Sequence, residues 1–156
     1  MGRNILAVIV SYIIIGIVVI GLFTGVYMIM GEDWAYKPGV FDVSTGWIAV
    51  MLVSAVIAAL VGGVVCALIS KHSKGAVLSL VAVIVVLGVL GVVMETMKPE
   101  RTAEQMIRTP PTTVMDASTN SRQPLWIAVA NPLIGVVGVM VGAMMVCPKL
   151  KKDAAG

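Results

Sequence analysis

Residues 47–70 read WIAVMLVSAVIAALVGGVVCALIS, twenty-four residues in a row without Asp, Glu, Lys, Arg or His. As a helix rising about 1.5 Å per residue, this stretch is about 36 Å long, enough to cross a hydrocarbon core of about 30 Å. A second pattern lies inside the first. Small residues recur at four-residue spacing in two adjoining rows, Ser54, Ala58, Gly62 and Cys66, then Ala55, Ala59, Gly63 and Ala67. In lipid, where side chains are no greasier than their surroundings, such rows let helix backbones approach closely and gain van der Waals contact. The stretch therefore predicts both a membrane span and the faces by which it meets its neighbours.

Three further runs lack charge, over 4–30, 76–94 and 125–147. An Asp, Lys or Arg at the centre of a span costs about 2.5–3.5 kcal/mol on insertion, which explains their exclusion. The whole chain agrees: 59% of its 156 residues are hydrophobic and 12% charged, with mean hydropathy +1.03. A soluble domain carries roughly 25% charge, and disordered chains are poor in apolar residues. Both classes are excluded. The reading is an all-α integral membrane protein, a four-transmembrane-helix bundle forming one membrane domain over 1–156. Its spans at 4–30, 47–70, 76–94 and 125–147 are joined by an outer loop 31–46, an inner link 71–75 and an outer loop 97–124, and followed by a tail 148–156.

The first run is about twice as long as a signal-peptide core and offers no A-x-A-like cleavage site at Met30-Gly31-Glu32-Asp33. Gly2 lacks the Ser or Thr that myristoylation needs, having Leu6 there. An even number of spans puts both termini on one side. Arg3, Lys71, Lys74, Lys149, Lys151 and Lys152 lie with the termini; Lys37, Lys98, Arg101, Arg108 and Arg122 lie opposite. The first set is concentrated in a short link and tail, so positive charge places both termini in the cytoplasm, across a plasma (inner) membrane. Trp34, Tyr36, Trp47 and Trp126 then fall at the outer interface as an aromatic belt.

The halves resemble each other in order. Gly25-Val26-Tyr27-Met28 answers Gly91-Val92-Val93-Met94, Lys37-Pro38 answers Lys98-Pro99, and Asp42-Val43-Ser44-Thr45 answers Asp116-Ala117-Ser118-Thr119. Trp47-Ile48-Ala49-Val50 matches Trp126-Ile127-Ala128-Val129, and Val61-Gly62-Gly63 with Cys66 matches Val141-Gly142-Ala143 with Cys147. Such an internal repeat reads as tandem duplication of a two-helix hairpin, whose halves share one orientation about an axis along the membrane normal. Spans two and four become equivalent, and the expected seam joins the rows through Ala55, Ala58, Ala59, Gly62 and Gly63 to Gly135, Gly138 and Gly142. Gly21 and Gly25 in the first span and Gly88 and Gly91 in the third are further packing candidates.

Few residues offer chemistry. Asn131-Pro132 is the one polar break inside a span, and Pro132 cannot donate to the Ala128 carbonyl, so the pair reads as a kink or as part of a solute pathway. Cys66, His72 and Cys147 lack the spacing of a metal site, and no metal or cofactor is expected. Two cysteines make no disulfide framework, though acylation of Cys147 beside three lysines is conceivable chemistry. Glu95 precedes Lys98, Glu100, Arg101 and Glu104 in what reads as a solvated extension, while Asp42, Ser44 and Thr45 suit a turn and helix cap. A net charge of +3 argues for no nucleic-acid partner.

Two functional classes follow. Charge-free spans with small-residue rows suggest a noncatalytic structural or accessory subunit, whose partners are the lipid bilayer and a homo-oligomer or larger membrane complex. The alternative is a small transporter or channel built from duplicated hairpins, with Asn131 and Pro132 on its pathway. No nucleophile and base fall within reach of each other, so no enzyme is expected.

Overall fold

The computed structural model describes residues 2–100, 102, 107 and 124–147. Within them lie α1 (Gly2–Met30), α2 (Glu32–Ala35), α3 (Thr45–Ile69), α4 (Lys74–Met97) and α5 (Leu125–Val146). Among the described residues, four helices, all except the single turn of α2, are long and apolar enough to cross a membrane. Each is apolar on every side, the pattern of a helix whose whole surface avoids water.

The start of α1, the α3–α4 turn and the end of α5 meet at one end of the bundle. There the Arg3 guanidinium donates to the Ser70 carbonyl at 3.3 Å and the Asn4 amide to the Ser73 hydroxyl at 3.1 Å. The Cys147 thiol donates to the His72 carbonyl at 3.8 Å. This proximal end sets the directions: α1 and α4 run away from it, α3 and α5 toward it. Around the bundle the order is α1, α3, α5, α4. Contact is most extensive between α3 and α5, substantial for α1–α3 and α4–α5, and sparse between α1 and α4. The main core fills the proximal half, where Ala7, Cys66, Ala67, Ala76, Val77, Leu80 and Ala143 are buried together.

The helix ends are specified locally. Ser44 caps α3: its hydroxyl oxygen accepts from the Trp47 amide at 3.0 Å, and its own proton goes to the Trp34 carbonyl at 2.6 Å. At the other end of α3 the His72 amide donates to the Ala67 carbonyl and the Lys71 amide to that of Leu68, the two bonds of a Schellman stop. The motif needs a left-handed residue after the cap, usually Gly, yet Lys71 has φ 52° and His72 φ 64°. The sequence counterpart of the Ser44 cap, at 116–119, lies outside the described residues.

The aromatic residues at the distal end are partly withdrawn from the surface. Trp47 sits among Phe23, Tyr27 and Trp34, with ring centroids 5.6, 6.0 and 6.5 Å away, tying α1, α2 and α3 together. Tyr36 is buried against Phe41 and Val43 side chains of the same loop, and pairs with Val43 across an isolated bridge. Of the four residues of the expected belt, Trp126 is the exposed one, at 56%. The difference arises because the 31–46 loop is not an open connection: it folds back through α2 and a turn at Gly39 (φ 73°), carrying its rings onto the helix ends.

Candidate ligand cavity and helix seams

The two small-residue rows of α3 face different helices. A Cβ added at Gly62 would run into the Ile15 side chain of α1, and one at Gly63 into the Val139 carbonyl oxygen of α5. Neighbouring positions on a helix differ by about 100° in direction, so adjoining rows serve two neighbours at once. On α5, a Cβ at Gly142 would meet the Leu60 carbonyl, and one at Gly138 the Ala59 side chain. The α3–α5 crossing is thus backbone against backbone at Gly63 and Gly142, each turning a Cα hydrogen toward a carbonyl of the other helix, a weak but recurrent helix–helix contact.

The contacts are reciprocal at one sequence offset. Adding 79 to Leu60 and Gly63 gives Val139 and Gly142, which interchanges the two backbone contacts, and adding 79 to Ala59 gives Gly138, its own partner. Two parallel helices always cross with local twofold symmetry. The same offset of 79 separates Trp47 from Trp126, whereas the glycine and cysteine matches read from sequence, Gly62 with Gly142 and Cys66 with Cys147, lie at 80 and 81.

The other candidate glycines divide sharply. Gly88 of α4 is pressed on the Pro132 ring, and a Cβ at Gly135 would lie 2.9 Å from the Ile84 side chain. Gly21, Gly25 and Gly91 have nothing within 4 Å of a Cβ, so they are not seam residues within this bundle. Ala58 and Ala59 are buried, whereas Ala55 is half-buried on a cavity wall.

That cavity, of about 440 Å³, is bounded by all four long helices. Its origin is geometric. Gly62 holds α1 to α3 and Gly88 holds α4 to α5, while α1 and α4 touch each other little, so the two are pinned to different partners with a space between. Along α3 the space runs from Met51 to Ala59, about 12 Å of helix. Its lining residues with high exposure, Tyr12, Leu87 and Gly91, all belong to α1 and α4, so the mouth opens sideways between these helices. Proximally it ends on the packed core.

Asn131 lines this cavity, about 9 Å of helix from the start of α5. Its Oδ1 is buried without a hydrogen-bond partner. The following Pro132 lies inside the helix and has no N–H for the Ala128 carbonyl, and Ala128 is itself a wall residue. The unpaired Asn131 Oδ1 thus faces an uncharged space whose other polar side chain is the Tyr12 phenol at its mouth. Asn131 and Pro132 stood out in the sequence but Tyr12 did not, because a lone tyrosine in an apolar span carries no signal of which neighbour its ring will face.

The remaining polar candidates are structural. Cys66 and Cys147 are fully buried free thiols, and His72 offers Cys147 its backbone carbonyl. Among the described residues no three His, Cys, Asp or Glu side chains gather as a metal site would require. Glu95 pairs with Lys98 at 2.7 Å on the distal end of α4. Compared with protein-family models, curated proteins and solved structures, the chain finds no match in any of the three.

Proposed function

We propose that the chain is an integral membrane protein, with its four long helices crossing a plasma (inner) membrane and both termini in the cytoplasm. It acts as a noncatalytic structural or accessory subunit, associating with a second copy or a larger membrane complex. What supports this above all is the outward face of α1, where Ile9, Ile13, Ile17 and Ile20 are 51–67% exposed and Gly21 meets no neighbour. An apolar face of this length is far beyond what a soluble monomer leaves open, and its small residues admit another helix closely. The offset of 79 shared by the α3–α5 contacts and the tryptophans supports an origin by duplication of a hairpin.

Purification from the native membrane in mild detergent tests the reading. A reproducible stoichiometric partner, or a defined oligomer broken by Gly21→Leu, is expected; a lone monomer that ignores that substitution overturns it. Reporter fusions at Lys74 and within 97–124 test the orientation, and a cytoplasmic signal from the long loop reverses it. The cavity favours a second reading, a small transporter or channel, for which solute flux through reconstituted protein is the test. Against it stands the proximal core, where Ala7, Cys66, Ala67, Leu80 and Ala143 are buried together.

A further inference from the structure

The geometry points to the Asn131 cavity as a binding site for an uncharged lipophilic alcohol or phenol that enters sideways from the lipid between α1 and α4. The inference rests on the membrane placement proposed above and goes beyond both functional readings. Four observations converge on it. The volume, about 440 Å³, lies within the range of small-molecule sites, roughly 300–1,000 Å³. No charged side chain lines the wall, so an ionised ligand would lose its hydration without compensation. The mouth, between Tyr12 on one side and Leu87 and Gly91 on the other, faces outward along the flank of the bundle rather than toward either end. Inside, Asn131 Oδ1 is buried without the partner that such groups require, and the Ala128 carbonyl loses its usual donor four residues on because that position is Pro132.

The head group follows from that last pair. A carboxamide carries a donor and an acceptor, either of which a rotation about its last bond can present to the cavity. A hydroxyl both donates and accepts, so it satisfies Asn131 in either setting and can turn its proton to the Ala128 carbonyl instead. An ether or ketone only accepts, and an acyl chain does neither. The alkyl or aromatic body of the ligand lies against Ile15, Phe23, Met51 and Ile84.

The test uses full-length protein reconstituted in phosphatidylcholine vesicles and two photoreactive probes of the same shape, 4-hydroxybenzophenone and benzophenone, at matched membrane concentrations. Saturable labelling of cavity peptides by the phenol is expected, with half-saturation several-fold lower than for benzophenone. Asn131→Leu should raise the phenol value roughly two- to tenfold, the worth of a single hydrogen bond, and narrow the gap between the two probes. Gly91→Phe fills the mouth at a position where a side chain meets no neighbour, so the fold survives and saturable labelling by both probes disappears. Equal half-saturation by the two probes would show that the site has no preference for a hydroxyl and overturn the proposal, as would labelling indifferent to Gly91→Phe. Vesicle flotation in the same samples separates the two failures: protein that does not float refutes the membrane placement, whereas floating protein without phenol selectivity refutes the site alone.

Discussion

Replacing Gly63 by Ala adds one methyl group at the tightest point of the bundle. The new carbon would stand 2.9 Å from both the Cα and the carbonyl carbon of Val139, and closer still to its oxygen, where ordinary contact begins at 3.4 Å. Because the obstacle is backbone inside a helix, no rotamer change relieves it. α5 must move away from α3 by roughly 1 Å to clear the Val139 oxygen, and overpacking of this kind costs about 1–3 kcal/mol. At about 2 kcal/mol the folded population falls about thirtyfold relative to the unfolded one. Gly142→Ala meets the Leu60 carbonyl in the same way and should cost a similar amount. Both substitutions demand the same displacement, so once the helices have parted for one methyl group the second is nearly accommodated. The double variant is therefore less destabilised than the sum of the singles, by about 1–2 kcal/mol. Reversible unfolding in bicelles, followed by steric trapping or by transfer to denaturing detergent, measures all three. Gly21→Ala is the control, since its methyl group enters open space. If Gly63→Ala unfolds with the wild type, or the two costs simply add, the backbone-on-backbone seam is wrong.

Other sites give contrasting expectations. Ser44→Ala removes the cap of α3 and should cost about 1 kcal/mol in the same unfolding assay, with Ser44→Thr recovering much of it by accepting from the Trp47 amide while still donating to the Trp34 carbonyl. Trp47→Ala empties the centre of the aromatic cluster and should cost about 3–5 kcal/mol, whereas exposed Trp126→Ala should change unfolding by well under about 1 kcal/mol. Equal effects at the two tryptophans would contradict the inward placement of Trp47. Lys71→Gly relieves a left-handed residue in the Schellman stop and should raise stability by about 0.5–1 kcal/mol, a gain absent if the turn differs in solution.

The long helices were legible because their cause is local and one-dimensional: a run of more than twenty residues without charge has few fates, and each of the four appears as one helix. The α3 cap was legible for the same reason, since Ser44 acts three residues along its own chain. Small-residue spacing marked the faces of α3 suited to close approach, but two rows one residue apart could not say which neighbour each would meet. That assignment, Gly62 to α1 and Gly63 to α5, depends on how the four helices are arranged about one another. The same holds for glycines of identical sequence character. Gly88 bears on Pro132 while Gly91, less than one turn further on, opens on a cavity, a distinction set by where α5 crosses and by nothing in the α4 sequence. The cavity is the furthest from sequence of all. It exists because α1 and α4 are each held to a different partner, and an unfilled space between elements is a property of their relative positions, to which no single stretch of residues corresponds.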